Sequence, residues 1–210
     1  MGNYSGYYKD IENSIPMKSV DNLTKQRQEY FSKFMRKSKS ICEYGCGPGT
    51  NVKYLLQYCD SLNCFDIEEA LRPYVISRAD KNIVEYNLLI EREGGITTGK
   101  PDNTYDIIYS TDVLEHIYWP RMTVKEMYRI LKNGGQAFIT VPYHGLIKNL
   151  AIAFLSFDRH YSPDDPHVRF FTRKTLIDVF VSEGFTVDHI GYLGRVRGLS
   201  KNICAIFRKN

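Results

Sequence analysis

The chain has 210 residues, enough for one sizeable hydrophobic core and too few for two ordinary domains, so we predict a single domain over residues 1–210. Hydrophobic residues make up 43% and charged residues 25%, and the net charge of +4 comes from scattered residues, which excludes the concentrated basic surface of a nucleic-acid-binding protein. The five cysteines are odd in number and form no CxxC pair, which argues against a disulfide framework and favours a reducing, cytoplasmic compartment.

In chain order, the first predicted element is a helix. Residues 1–19 are polar and rich in tyrosine without a clean period, whereas residues 20–37 carry apolar residues at roughly helical spacing. We therefore expect residues 1–38 to form an N-terminal helical cap. No membrane span is expected, because the longest apolar run, residues 150–157, is far shorter than the ~20 residues that a span requires.

After the cap, strand-like and helix-like runs alternate. Strands are predicted at 40–44, 61–66, 82–87, 105–110 and 136–142, and helices at 50–59, 68–79, 121–132 and 173–183. The final strand-like runs, 185–193 and 202–209, have no helix between them and should pair antiparallel at one sheet edge. These elements predict an α/β fold, a doubly wound, Rossmann-like, mostly parallel seven-stranded sheet with an antiparallel C-terminal hairpin.

The segment SICEYGCGPGTNVKYLL, residues 40–56, has a glycine-rich turn between a strand and a helix, an arrangement that usually holds a nucleotide-like ligand. The dinucleotide fingerprint requires a glycine at its sixth position, but that position is Thr50 when counted from Gly45 and Val52 when counted from Gly47. No Gly-Lys-Ser/Thr follows, so the phosphate-binding P-loop is excluded as well.

Two acids near this turn indicate the chemistry of its ligand. Glu43 precedes the turn, where a carboxylate would repel a pyrophosphate and attract a cationic amino group. Asp66 ends the next predicted strand, where a carboxylate can accept both hydroxyls of an unmodified ribose. A nucleoside with a positive, non-phosphorylated arm satisfies both acids, and S-adenosylmethionine is such a molecule.

Five segments resemble, in order and spacing, the class I S-adenosylmethionine-dependent methyltransferases. This resemblance covers most of residues 40–143, and an antiparallel end hairpin is also a feature of that family. The matching segments are ICEYGCGPG, FDIEEA, EYNLLI, YDIIYSTDVLEHI and EMYRILKNGGQAFITVPY.

The resemblance implies a donor site. Glu43 and the glycine loop would contact the methionine part, Asp66 the ribose hydroxyls, and Asn87, which replaces the usual Asp, the adenine amino group. For Arg27 two interpretations stay open, a pair with the methionine carboxylate and an ordinary solvated arginine. The full set of implied cofactor-binding residues is Glu43, Gly45, Cys46, Gly47, Gly49, Asp66, Ile67, Asn87, Leu88, Ser110 and Arg27.

Methyl transfer to an alcohol needs alignment and, because the pKa of an alcohol is high, a general base. His144 follows the fifth strand, and His116 lies in the DVLEHI motif, where a structural role is an equal alternative. His160 and Asp158 lie in residues 143–172, a long acceptor-side insertion. This insertion also holds an acidic and histidine-rich cluster (158–167), but its spacing fits no standard ligand motif, so no metal ligand is predicted.

The acceptor prediction depends on a second resemblance. The segment HVRFFTRKTL, residues 167–176, resembles relatives that methylate sugars and glycan precursors, which implies O-methylation of a small sugar or glycan acceptor. Methylation of a quinone, phenol or other small metabolite is an alternative, as is a non-catalytic S-adenosylmethionine-binding module. Nucleic-acid methylation is disfavoured, because neither an Asn/Asp-Pro-Pro-Tyr/Phe motif nor a large basic arm occurs, while protein methylation stays open.

Overall fold

A computed structural model describes residues 20–79, 83–92, 95–160, 167–194 and 200–210, without the side chains of three of them, Arg92, Arg159 and His160. Residues 1–19 of the expected N-terminal cap lie outside the described residues, as do residues 161–166 of the expected insertion. Among the described residues, no helix has the length and apolar character that crossing a membrane requires.

Nine strands are described along the chain, seven of them in one sheet. In chain order they are β1 (Ser38–Tyr44), β2 (Cys59–Asp66), β3 (Val84–Leu88), β4 (Ile90–Arg92), β5 (Gly95–Thr97), β6 (Tyr105–Thr111), β7 (Leu131–Pro142), β8 (Phe185–Gly194) and β9 (Ser200–Lys209). The order across the large sheet is β3-β2-β1-β6-β7-β9-β8, and β4 and β5 form a separate small hairpin that the sequence did not indicate.

The strand directions confirm the predicted fold. In the large sheet, the five neighbouring strands β3, β2, β1, β6 and β7 run parallel, whereas β9 pairs antiparallel with both β7 and β8. The chain changes its winding direction between the adjacent strands β1 and β6. In open α/β sheets, ligands bind at the carboxyl ends of the strands beside such a point. The end of the sheet formed by Tyr44, Asp66 and Thr111 is therefore the expected ligand edge.

In the part of the chain that the structure describes, seven helices and two short 3-10 turns accompany the strands. The helices are α1 (Asn22–Ser32), α2 (Val52–Leu55), α3 (Arg72–Ser77), α4 (Pro120–Ile130), α5 (Leu146–Leu155), α6 (Phe157–His160) and α7 (Arg173–Val181). The 3-10 turns are Glu69–Leu71 and Leu114–His116.

Two predicted helices are shorter than their sequence patterns suggested. The run 50–59 gives only the single turn of α2, because the chain must turn back before Cys59 pairs with Ser38 at the start of β1. The run 68–79 begins as a 3-10 turn and becomes α3 only at Arg72, since Pro73 has no N–H to donate within a continuous helix.

Helix α1 packs on one face of the sheet. Asp21 caps its N-terminus, with Oδ1 accepting the N–H groups of Leu23 and Thr24, both at 2.8 Å. One residue before its end, the buried ring of Phe31 packs edge-on against Tyr109 of β6 and Phe138 of β7. On the opposite face, α7 and β9 contribute the stacked rings of a second core cluster. Packing of α1 thus brings its polar face to the donor side of the sheet.

Candidate donor and acceptor site

The glycine loop after β1 is held tightly against its neighbours. The N–H groups of Gly45 and Cys46 donate to the carbonyl oxygen of Phe65, at 2.8 and 2.9 Å. Gly45 has a φ of 75°, and a Cβ at this position would overlap the side chain of Val113. Only glycine fits here, so the loop keeps its backbone open towards the ligand edge.

Asp66 lies beside this loop, as the sequence predicted. Its carboxylate is 5% exposed and accepts the Gly47 N–H through Oδ2 at 2.7 Å and the Ile67 N–H through Oδ1 at 2.8 Å. Burial raises the pKa of the Asp66 carboxyl. Asp66 therefore also has a structural role that the sequence did not indicate, because its carboxylate connects the glycine loop to the end of β2.

Glu43 lies beneath the loop and is 2% exposed. Its Oε1 accepts a hydrogen bond from Nδ2 of Asn51 at 2.9 Å, and its Oε2 accepts one from the Cys64 thiol at 3.6 Å. Burial away from water raises the pKa of Glu43 to about 8. The carboxyl is thus poised to ionise when a cationic group comes near.

The raised pKa of Glu43 makes the stability of the fold depend on pH. Between the ordinary pKa of 4.5 and about 8, the folded chain keeps a proton that the unfolded chain has released. The stabilising contribution is therefore complete below the lower value and is lost as the pH rises to the upper one. In urea unfolding at pH 5.5 and 8.0, we expect the wild type to lose more free energy of unfolding than Glu43→Gln does. Glu29→Gln, on the exposed face of α1, serves as the control, and equal losses in wild type and Glu43→Gln would contradict the burial argument.

Arg27 of α1 reaches the same edge and is 9% exposed, so the interpretation as a solvated arginine is wrong. Its Nη2 pairs with Oδ2 of Asp112. The other oxygen of Asp112 accepts hydrogen bonds from Thr140 Oγ1 at 3.0 Å and Asn202 Nδ2 at 2.9 Å. Arg27 is thus an anchored part of the site, while its contact with a methionine carboxylate stays a prediction.

Besides Nε of Arg27, two buried polar groups of the predicted donor residues have no hydrogen-bond partner among the described residues. They are Nδ2 of Asn87, at the end of β3, and Oγ of Ser110, which is 1% exposed near the end of β6. Buried polar groups are nearly always paired, so both fit groups that a ligand completes. Strand pairing places Asn87 opposite Phe65 and Leu88 opposite Asp66, with Leu88 40% exposed.

The predicted donor residues thus meet at one edge of the sheet. The loop residues Gly45, Cys46, Gly47 and Gly49 lie above β1, with Asp66 and Ile67 at the end of β2, Asn87 and Leu88 at the end of β3, and Ser110 in β6. This set fits S-adenosylmethionine through the open glycine backbone, the buried acids and the unpaired Asn87 and Ser110 groups. The contacts of each residue with the donor stay predictions.

The four candidate bases differ in their surroundings. His144 is 5% exposed, donates its backbone N–H to the Phe171 carbonyl oxygen at 2.9 Å, and lies with Nδ1 3.3 Å from Asn149 Oδ1. The ring of His116 stacks on that of His167, with centroids 4.8 Å apart. Asp158 is exposed on α6, and the side chain of His160 lies outside the described residues. No observation tests these residues as bases.

Several residues of this edge escaped sequence analysis. Asn51 bridges two elements, because it donates to Glu43 and accepts from Gln28 Nε2 of α1 at 3.0 Å. Asp112 follows β6 with a φ of 53°, and its signal was its place directly after a strand at the ligand edge. His167 had been grouped with residues 158–165, but it lies against His116 instead.

Comparison with known proteins identifies the family. A profile described as a methyltransferase domain matches residues 20–190. The chain belongs to the class I S-adenosylmethionine-dependent methyltransferases. S-adenosyl-L-methionine is the cofactor of this family, which confirms the ligand inferred from Glu43 and Asp66.

Individual relatives of this methyltransferase chain are distant. Rat thiol S-methyltransferase TMT1B is 25% identical over 138 residues, which is 63% of this chain and 56% of that protein. Phosphoethanolamine N-methyltransferase 3 of Arabidopsis thaliana is 30% identical over 108 residues, 50% of this chain and 21% of that one. The chain spans about half of the first relative and a fifth of the second.

The fold is shared with solved methyltransferases. The crystal structure of an S-adenosylmethionine-dependent methyltransferase from Mesorhizobium loti aligns with a TM-score of 0.67 at 12% identity, covering 88% of this chain and 96% of that one. At this identity the likeness shows the fold alone.

Proposed function

We propose that this chain transfers the methyl group of S-adenosylmethionine to a hydroxyl group of a small acceptor. The bound donor supplies an electrophilic methyl group on a sulfonium centre. The chain would hold it between Glu43 and Asp66 and align the acceptor from the segments after β6 and β7. The observation that carries this proposal is the presence of imidazoles from both segments, His116 and His144, at the edge that holds the donor residues.

The exposed apolar side chains of α5, on the proposed acceptor side, support an acceptor with an apolar part. Helix α5 follows β7 directly and buries none of its residues. Its Leu146, Phe154 and Leu155 are 75%, 85% and 84% exposed. A polyol gains little from such a surface, whereas a phenol or quinol can cover it. We therefore place a hydroxylated acceptor with an apolar body first and keep the sugar or glycan, favoured by residues 167–176, as the second candidate.

The compartment proposed for this reaction is the cytoplasm. All five cysteines are free and buried, including Cys42, Cys46 and Cys64 near the donor side. Free thiols of this number are typical of reducing compartments.

An acceptor panel tests the proposal. The purified chain is incubated with isotopically labelled S-adenosylmethionine and, separately, a quinol, a phenol, a nucleotide sugar, a small thiol and a peptide. We expect labelled methyl ether and S-adenosylhomocysteine with the quinol or phenol. The thiol belongs in the panel because a relative is named a thiol S-methyltransferase. Label in the thiol or peptide alone would overturn O-methylation, and donor binding without turnover of any acceptor would favour the binding-module alternative.

Variants of α5 separate acceptor from donor effects in the same assay. Phe154→Ser is expected to raise KM for the apolar acceptor severalfold and to leave KM for S-adenosylmethionine unchanged, because Phe154 lies on the acceptor side. Val187→Ser, a 40% exposed apolar residue on β8, is the matched control. Equal acceptor KM values in Phe154→Ser and wild type would remove the support for an apolar acceptor.

A further inference from the structure

We propose that Glu115, His116 and His167 form a binding site for a divalent transition-metal ion such as Zn²⁺. Each offers one ligand atom, a carboxylate oxygen or an imidazole nitrogen, and these atoms all lie within 4.8 Å of one another. Glu115 and His116 belong to the 3-10 turn after β6, whereas His167 comes from the acceptor-side insertion. Two segments distant in sequence thus supply one cluster.

The Glu115 side chain gives independent support for a ligand at this position. The residue is 1% exposed, yet neither carboxylate oxygen has a hydrogen-bond partner among the described residues. A buried carboxylate without partners is costly, so such a group normally has a cation or donors beside it. Arg27, a cation in the same region, pairs through its Nη2 with Asp112 and makes no hydrogen bond to the Glu115 carboxylate. A bound cation would satisfy the Glu115 carboxylate directly.

The cluster is held together by contacts outside its ligand atoms. The carbonyl oxygen of Glu115 accepts the N–H groups of Val168 and Arg169, both at 2.9 Å. Nη2 of Arg169 donates to the Tyr118 carbonyl oxygen at 2.7 Å. These bonds fix the segment after His167 to the turn that carries Glu115 and His116, so the two ligand-bearing segments are held together before any ion binds.

Ligand chemistry selects the class of ion. Two imidazoles with one carboxylate suit Zn²⁺ and other first-row transition ions, whereas Mg²⁺ and Ca²⁺ prefer oxygen ligands. Metal–ligand distances of about 2.0–2.2 Å would place the three atoms roughly 3–3.5 Å apart. Rotation of the partly exposed His116 and His167 side chains can bring the atoms of this cluster inward to that spacing.

Three protein ligands leave coordination positions open for another group. If the acceptor is a hydroxyl compound, which rests on the proposed function, its oxygen can occupy one of them. The hydroxyl proton would pass to water, and the oxygen would then take the methyl group while the carbon–sulfur electron pair returns to sulfur. The ion would thus supply the acidification that a general base alone must otherwise provide.

Metal binding to the full chain tests the site without donor or acceptor. After chelator treatment and dialysis, the protein is titrated with Zn²⁺, Co²⁺ and Mg²⁺, and bound metal is counted by mass spectrometry. We expect one Zn²⁺ or Co²⁺ per chain, visible absorption bands for Co²⁺, and no comparable binding of Mg²⁺. No stoichiometric Zn²⁺ or Co²⁺ binding, or equal affinity for Mg²⁺, would overturn the proposal.

Variants assign the ion to this cluster. His167→Ala and the isosteric Glu115→Gln are each expected to weaken metal binding at least ~tenfold. Circular dichroism shows whether each variant folds. His116→Gln, for which the same loss is expected, replaces a variant that does not fold. His189 lies on β8, away from the cluster in sequence, and its Nε2 is 2.6 Å from the Tyr30 hydroxyl. The control variant His189→Gln should therefore bind metal like the wild type. Unchanged affinity in the folded cluster variants would refute the site. Because no methyl transfer is measured, this outcome is independent of the acceptor panel.

Discussion

Replacing Asp66 by alanine is expected to weaken S-adenosylmethionine binding by about two to three orders of magnitude, because hydrogen bonds to a charged group contribute about 1.5–3 kcal/mol each. The variant loses the carboxylate proposed to accept the ribose hydroxyls. It also loses the acceptor of the Gly47 and Ile67 N–H groups, so the glycine loop is no longer tied to β2. Loss of the ribose contact and loss of the tie between loop and β2 should both weaken S-adenosylmethionine binding.

Isothermal titration calorimetry with S-adenosylmethionine measures this effect. Asp60→Ala is the matched control, since Asp60 is an exposed acid near the opposite end of the same strand. Thermal unfolding of both variants shows whether the fold is kept. Asp66→Asn, which retains one acceptor oxygen, should fall between Asp66→Ala and wild type. Wild-type affinity in a folded Asp66→Ala variant would show that the donor does not use this carboxylate.

Replacing Arg27 by methionine is expected to lower the free energy of unfolding by about 2–3 kcal/mol, because it leaves the partner of a largely buried ion pair without its cation. Asp112 would keep its bonds to Thr140 and Asn202 but lose its charge partner. The double variant Arg27→Met with Asp112→Asn should recover much of this loss, since no unpaired charge remains. Donor affinity should fall in the single variant, because Arg27 anchors α1 at the donor edge.

Urea unfolding of the two single variants, the double variant and wild type completes this thermodynamic cycle. The control is Arg121→Met, which removes an exposed pair with Asp178 whose side chains are 48% and 63% exposed. Exposed pairs contribute little, so a change under ~1 kcal/mol is expected there. Equal changes in the free energy of unfolding for Arg27→Met and Arg121→Met would contradict a stabilising buried ion pair. Strict additivity of the two single changes in the double variant would contradict it as well.

The placement of the predicted donor residues at one edge of the sheet was predictable, because it follows from local patterns and sheet geometry. Glu43, the glycine turn and Asp66 each mark the end of a parallel strand, and parallel strands that neighbour one another bring such ends to one edge. The antiparallel hairpin of β8 and β9 was predictable for a similar reason, since no helix separates the two strands. Strand periodicity and connection length carry this information along the chain.

The rest of the site depends on contacts between segments far apart in sequence. Arg27 and Asp112 are 85 residues apart, and nothing near either residue indicates the other. His167 could be grouped only with its sequence neighbours, whereas the fold places it against His116. Local sequence carries no record of which loop hydrogen-bonds to which turn, and such bonds decide where these side chains lie.

The acceptor side shows a second limit of sequence reasoning. In the sequence, the apolar run in residues 150–157 shows only that this segment is apolar and too short to span a membrane. In the structure, Phe154 and Leu155 of α5 are among the most exposed apolar side chains described. Helical periodicity shows that a face is apolar, but only the position of the helix on the fold decides whether the protein or a ligand covers that face.

A crystal structure of the chain with S-adenosylhomocysteine tests the central claim most directly. We expect the ribose hydroxyls within hydrogen-bonding distance of the Asp66 carboxylate, the amino group of the ligand near Glu43, and the adenine against Ile67 and Asn87. A ligand bound elsewhere on the fold, or with its ribose turned away from Asp66, would contradict the donor site derived from these residues.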